Sequence, residues 1–158
     1  MARAGDLSGT CLCGGVSVRL PIAMDDVGVC HCSTCRRWAS GPWMALQAPG
    51  ASIEGETLAT YRSSGFAERG FCRRCGTHIF HRPQDGPELA VSGGLFDISG
   101  LHIAREIFHD AKPPFYHFVA VSEKRSSASM AREWLSRLLY RRIGRWIRAW
   151  RLGVTADR

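Results

Sequence analysis

The chain has 158 residues, enough to bury an ordinary core without disulfide staples, and its 45% apolar and 22% charged content is that of a globular protein. No run of about 18 apolar residues is present, which argues against a membrane-spanning helix, and Met1–Asp6 leads into no apolar leader segment, so a cytoplasmic setting is expected. The net charge of +7 is concentrated in residues 129–158, where eight arginines face only Glu133 and Asp157; the body is left near +1 and gives no electrostatic reason to bind nucleic acid.

Residues 7–20 read as strand, turn, strand, with Cys11 and Cys13 at the turn and Val16 and Val18 alternating with Ser17 and Arg19. Val27-Gly28-Val29 leads into a second cysteine cluster. Residues 43–46, 57–61, 66–71, 77–81, 88–92 and 105–108 are further short strand candidates, separated by Gly, Pro, Ser and Asp at the intervals of an all-β domain. Residues 123–129 are polar and read as a linker. From Met130 the apolar period becomes 3.6: Leu135, Leu139, Ile143, Trp146, Ile147 and Trp150 share one helical face, opposite Arg137, Arg141, Arg145 and Arg148, with Ser129 as expected N-cap and Glu133 in the first turn. Trp134 and Leu138 depart from this pattern. The expected division is a zinc-binding domain over 1–125 and a basic amphipathic helical tail over 126–158.

All seven cysteines fall in three tight clusters, Cys11-x-Cys13, Cys30-x-Cys32-x-x-Cys35 and Cys72-x-x-Cys75. A disulfide between residues two apart is badly strained, whereas thiolates on one Zn²⁺ face no such limit. Gly14 after Cys13 and Gly76 after Cys75 supply the positive φ that lets backbone N–H groups turn toward the sulfurs. Seven thiols divide as four plus three, which matches one closed structural zinc and one zinc with an open position. Spacing alone permits Cys11, Cys13, Cys72 and Cys75 with Cys30, Cys32 and Cys35. It equally permits the first four cysteines together, with Cys35, Cys72 and Cys75 left over, or a single zinc with three spectator thiols.

Gly9-Thr10-Cys11-Leu12-Cys13-Gly14-Gly15, Cys30-His31-Cys32-Ser33-Thr34-Cys35-Arg36-Arg37 and Phe71-Cys72-Arg73-Arg74-Cys75-Gly76-Thr77 resemble the three signatures of the glutathione-dependent formaldehyde-activating enzyme family, which includes the domain of centromere protein V. The resemblance continues through Gly93–Asp97 and His109…Lys112-Pro113, and covers roughly residues 7–118; Phe115 stands where the family pattern has Trp, and the tail lies outside it. It implies a mainly β fold of the β-tent type. It also implies two zincs per chain, one structural on Cys11, Cys13, Cys72 and Cys75, and one catalytic on Cys30, Cys32 and Cys35.

The activity implied by the resemblance is that of a carbon–sulfur lyase acting on a glutathione adduct of formaldehyde or another small aldehyde. Zinc holds a bound thiol as the nucleophilic thiolate, and three thiolates already neutralise the ion, which favours activating the thiol over polarising the aldehyde. Arg36, Arg37, Arg73 and Arg74 flank the ligands and are candidates for the two carboxylates of glutathione. Trp38 and Trp43 are candidate pocket walls; His31, His78, His81, His109 and His117 read mainly as structural, and one histidine as an eighth ligand would instead make both zincs structural in a non-catalytic binding module. The tail is expected to be separable, so that its deletion leaves zinc content and thiol binding intact, and to pack on the body, on a second copy as a homo-oligomer, or on an anionic membrane surface.

Overall fold

The computed structural model describes residues 7–21, 25–84, 86–97 and 99–151. Among the described residues, eleven strands form two sheets. Strands β1 (Leu7–Thr10) and β2 (Ser17–Leu20) are the expected hairpin, and β5 (Ser52–Glu54) pairs with β2 to complete a three-stranded sheet. The second sheet has eight strands in the order β11-β10-β3-β4-β9-β8-β7-β6. Its members are β3 (Asp26–Cys30), β4 (Trp43–Gln47), β6 (Leu58–Arg62), β7 (Ala67–Cys72), β8 (His78–Pro83), β9 (Ala90–Ser92), β10 (His102–Ile107) and β11 (Glu123–Arg125). Pairing is antiparallel except where β10 lies parallel to both β3 and β11.

Strand side chains alternate between faces, and this places the site. On one face of the large sheet Val27, Val29, Leu46 and Val91 pack with Val16, Val18 and Leu20 of the small sheet into the main core. The opposite face carries Gly28 and Cys30 of β3, Ala45 of β4, Ala90 of β9, and Arg105 and Ile107 of β10, all lining a cleft. The same strands that bury their valines in the core therefore present the second cysteine cluster to the cleft.

One element is new to the sequence reading and another corrects it. The segment after Cys32 is a helix, α1 (Ser33–Ala39), started by Cys32 as N-cap and ended at Ser40 in the left-handed region, φ 57°. The polar stretch 123–129 is no linker: Glu123–Arg125 joins the large sheet as β11, and α2 (Ser127–Arg151) begins directly afterwards. Ser126, not Ser129, caps this helix. Its Oγ accepts from the Ser129 N–H at 3.2 Å and its carbonyl from the Met130 N–H at 3.0 Å. Glu133 consequently sits past the first turn, where it pairs with Arg125 at 2.8 Å and with Arg137.

The docked face of α2 is also not the expected one. Met130 is buried and the off-pattern Trp134 packs on the body, while Leu135, Leu139 and Ile143 remain 60%, 51% and 55% exposed. The side chains of Leu138, Arg141, Arg145, Trp146, Ile147, Arg148 and Trp150 lie outside the described residues, as does everything from residue 152 onward. No helix among the described residues is long and apolar enough to cross a membrane.

Candidate metal centre and cleft

The seven thiols gather into two groups, in each of which the sulfurs lie within 4.8 Å of one another: Cys11, Cys13, Cys72 and Cys75, and Cys30, Cys32 and Cys35. This is the first of the divisions that spacing allowed. The four-cysteine group forms where the β1–β2 turn meets the β7–β8 turn. Gly14 and Gly76 adopt φ of 72° and 74°, as the knuckle requires, and the Gly14 and Gly76 amides donate to the Cys11 and Cys72 carbonyls at 2.9 and 2.8 Å. The Val16 amide donates to Cys11 Sγ at 3.2 Å, and the hydroxyls of Thr57 and Thr77 lie 3.2 and 3.1 Å from the sulfurs of Cys72 and Cys75. The Thr77 hydroxyl pulls the Cys75 thiol down to about 5. Four sulfurs with supporting donors fit a closed tetrahedral ion.

The three-cysteine group is built differently. Cys30 ends β3, Cys32 caps α1 and accepts from the Cys35 N–H at 3.4 Å, and Cys35 is buried within α1. Hydrogen bonds from Cys30 and then Cys35 hold the Cys32 thiol far down, at about 2, while the same sharing pushes Cys30 up. No histidine or carboxylate joins this group among the described residues, so the histidine that could have closed it as an eighth ligand is absent from it.

All three thiols open onto a cleft of about 580 Å³, a size suited to a small-molecule ligand. Trp43, paired across the strands with Cys30, lines the cleft, whereas Trp38 stacks on Tyr61 and leans against His78. His81 also lines the cleft, and burial, aided by nearby Arg69, pushes its imidazole down to about 4, so it is neutral at pH 7.

Arg69 is the residue that sequence reasoning missed. It is only 3% exposed, donates from Nη2 to Cys35 Sγ at 3.3 Å, and lies between the Trp38 and Trp43 rings at 5.8 Å from each centroid. Its Nε and Nη1 have no hydrogen-bond partner among the described residues. A buried cation needs a compensating anion. Three thiolates on a dication leave one net negative charge, so the donor set and this orphaned guanidinium fit a zinc held by Cys30, Cys32 and Cys35.

Arg36, Arg37, Arg73 and Arg74 do not line the cleft. Arg36 donates from Nε to the His31 carbonyl at 2.9 Å, and Arg37, Arg73 and Arg74 are exposed. His31 points away from the cleft into a buried network, with Nε2 2.9 Å from Glu106 and Nδ1 2.9 Å from the Tyr116 hydroxyl, and Ser122 donates to the same carboxylate at 2.6 Å. This network pins the loop between two of the clustered cysteines. His109 stands at its edge, 4.0 Å from Glu106, while His78 stacks on Trp38 and His117 is exposed.

A mainly β domain with a four-thiol knuckle and a three-thiol cleft is the class that fold and site define. Residues 6–111 match the sequence profile of the glutathione-dependent formaldehyde-activating enzymes, and the chain belongs to that family. A Schizosaccharomyces pombe protein described as an uncharacterized lyase is 36% identical over 118 residues, which cover 72% of this chain and 85% of that protein. A crystal structure of a Rhodobacter sphaeroides protein is 29% identical, covering 59% of this chain and 90% of that one with a TM-score of 0.49.

Proposed function

We propose that this chain makes or cleaves the carbon–sulfur bond between a small thiol, glutathione or a relative, and formaldehyde or another small aldehyde. Cys30, Cys32 and Cys35 would hold the catalytic zinc, and Cys11, Cys13, Cys72 and Cys75 the structural one. Bound at the three thiols, zinc supplies the charge that keeps an incoming thiol deprotonated. The observation that carries this reading is the count of donors: three sulfurs, with no fourth protein ligand beside them among the described residues, face a cleft, while the other four close on each other elsewhere.

The chain's own residues then do identifiable work. Arg69 offsets the negative charge gathered by the three sulfurs, so a further anionic sulfur is not repelled. Trp43, beside the three cysteines, walls the cleft and holds thiol and aldehyde together, which raises their effective concentration. In synthesis the sulfur lone pair forms the new S–C bond, the carbonyl π pair moves to oxygen, and oxygen takes the proton that the thiol gave up. The reverse breaks that S–C bond and returns the proton to sulfur, which is a lyase reaction. His81, neutral at pH 7, offers a hydrogen bond there without adding charge.

The test is zinc quantification on protein purified without chelator, followed by calorimetric titration with glutathione, for the wild type and Cys32→Ser. Two zincs per chain and thiol binding that disappears in Cys32→Ser are expected. A value of one zinc, or glutathione binding that survives the substitution, overturns the assignment.

A further inference from the structure

The family match ends at residue 111, yet the cleft is completed by helix α2, which lies beyond it. Met130, Glu133, Trp134 and Arg137 of α2 all line the cavity onto which the three cysteines open. Trp134 is held edge-on by two aromatic rings of the body, with Phe66 at 5.2 Å and 64° and Phe108 at 5.7 Å and 71°. Phe108 makes this contact from the left-handed backbone region, φ 56°. A bulky residue there is strained and persists only where surrounding packing fixes it. The wall is therefore built, and it belongs to the substrate side of the cleft.

The charges at this wall are mostly committed. Arg69 donates only from Nη2, to Cys35, and its charge is matched to the three sulfurs, while Arg137 pairs with Glu133. Arg105 lines the cleft with no ion pair among the described residues, so it is free to take one anionic end. Glutathione presents two carboxylates and no large apolar group; the cleft presents one uncommitted arginine and an aromatic wall.

Resting on the thiol reading above, we propose that Trp134 is a specificity-determining residue and that the preferred ligand is a thiol or thiol–aldehyde adduct bearing an alkyl or aryl arm, laid against Trp134, Phe66 and Phe108. The arm can enter on the thiol or on the aldehyde, and the probes separate the two. The zinc-loaded full chain is titrated calorimetrically with glutathione, with 2-phenylethanethiol, and with glutathione in excess phenylacetaldehyde. At least one aryl probe should bind the wild type about tenfold more tightly than glutathione alone, since an aromatic group buried among aromatic rings adds to its area burial. Trp134→Ala should remove most of that preference, with zinc content and glutathione affinity within about threefold of wild type, and Trp134→Phe should keep it. The wild-type comparison decides even if Trp134→Ala fails to fold: no preference for either aryl probe, with glutathione still binding, overturns this inference alone. Equal weakening of every probe in a folded Trp134→Ala also overturns it. If no thiol binds at all, the reading of the cleft as a thiol site falls and this inference with it.

Discussion

The two cysteine groups of this chain offer the same donor atoms in opposite arrangements. In the first, two tight turns from distant parts of the chain bring four sulfurs together, with threonine hydroxyls and turn amides around them, away from the cleft. In the second, one strand end and one helix start bring three sulfurs together from six consecutive residues, Cys30 to Cys35, and the space where a fourth donor belongs is cleft. A metal ion on the first would crosslink β1–β2 to β7–β8, and so tie the small sheet to the large one. The second closes no long loop. Its neighbours are a buried arginine and two indoles instead of hydroxyls. Zinc on four ligands contributes to folding, while zinc on three is available to a substrate.

The largest expected effect tests this division directly. Cys72→Ser should remove a ligand from the crosslink between sheets, and structural zinc contributes on the order of 10 kcal/mol of apparent folding free energy. The variant should lose cooperative unfolding by circular dichroism or fail to accumulate as soluble protein. Cys35→Ser takes the sulfur partner from buried Arg69 and should cost about 3–5 kcal/mol, well short of the first variant's loss, so that the protein still unfolds cooperatively, yet lose glutathione binding. Equal destabilisation by the two substitutions breaks the comparison.

A smaller effect is expected at Arg69. Arg69→Gln leaves three clustered thiolates without their buried counter-charge, and breaking a buried pair costs about 3–5 kcal/mol. At the lower end this is roughly a hundredfold in an equilibrium constant. Competition with a chelator should therefore show one zinc released about a hundredfold more readily, with the second retained as in the wild type. Both zincs weakening together would mean that Arg69 supports the fold at large.

Much of this was legible from the residues themselves. The turn glycines Gly14 and Gly76, the period-two valines and the cysteine spacing are local signals, and they located the knuckles and most strands. What spacing left open was which cysteines group together, because the β1–β2 turn meets the β7–β8 turn only through the packing of two separate sheets. Arg69 was hidden for a related reason. In the run Ala67-Glu68-Arg69-Gly70, which of two adjacent charged residues turns inward depends on register, and here Arg69 is buried while Glu68 pairs with Arg82. The four arginines beside the cysteines are neighbours of the thiols along the chain but not of the cleft, since adjacency along a turn does not mean adjacency to the cleft. Helix α2 was visible by its period, but its docking was not: the apolar stripe Leu135–Ile143 is the stronger signal, and the single Trp134 that fits between Phe66 and Phe108 departs from it.

The smallest expected effect concerns how that helix is held at the open site, a device the closed site lacks. The Asp110 carboxylate accepts from the Ser127 N–H at 2.6 Å and from the Ser127 hydroxyl at 2.9 Å, which ties the first turn of α2 to the segment just after Phe108. Donation by the Ser127 amide, then by its hydroxyl, holds the Asp110 carboxyl below its usual range. The undocked carboxyl therefore binds a proton more readily than the docked one, so docking is fully supported above the ordinary aspartate pKa of about 4 and weakens as pH falls through it. Because Asp110 is exposed, solvent screens this effect and it should be modest. Hydrogen exchange of residues 127–134 should be a few-fold faster in Asp110→Asn than in wild type at pH 6 to 7, and the difference should shrink as pH falls toward 4. Protonation of cysteines and loss of metal at low pH act on both proteins alike, so the difference between them isolates Asp110. A gap that stays constant with pH would mean that the helix start is held by Trp134 and Met130 alone, and that the carboxylate contributes no charge-dependent hold on the cleft wall.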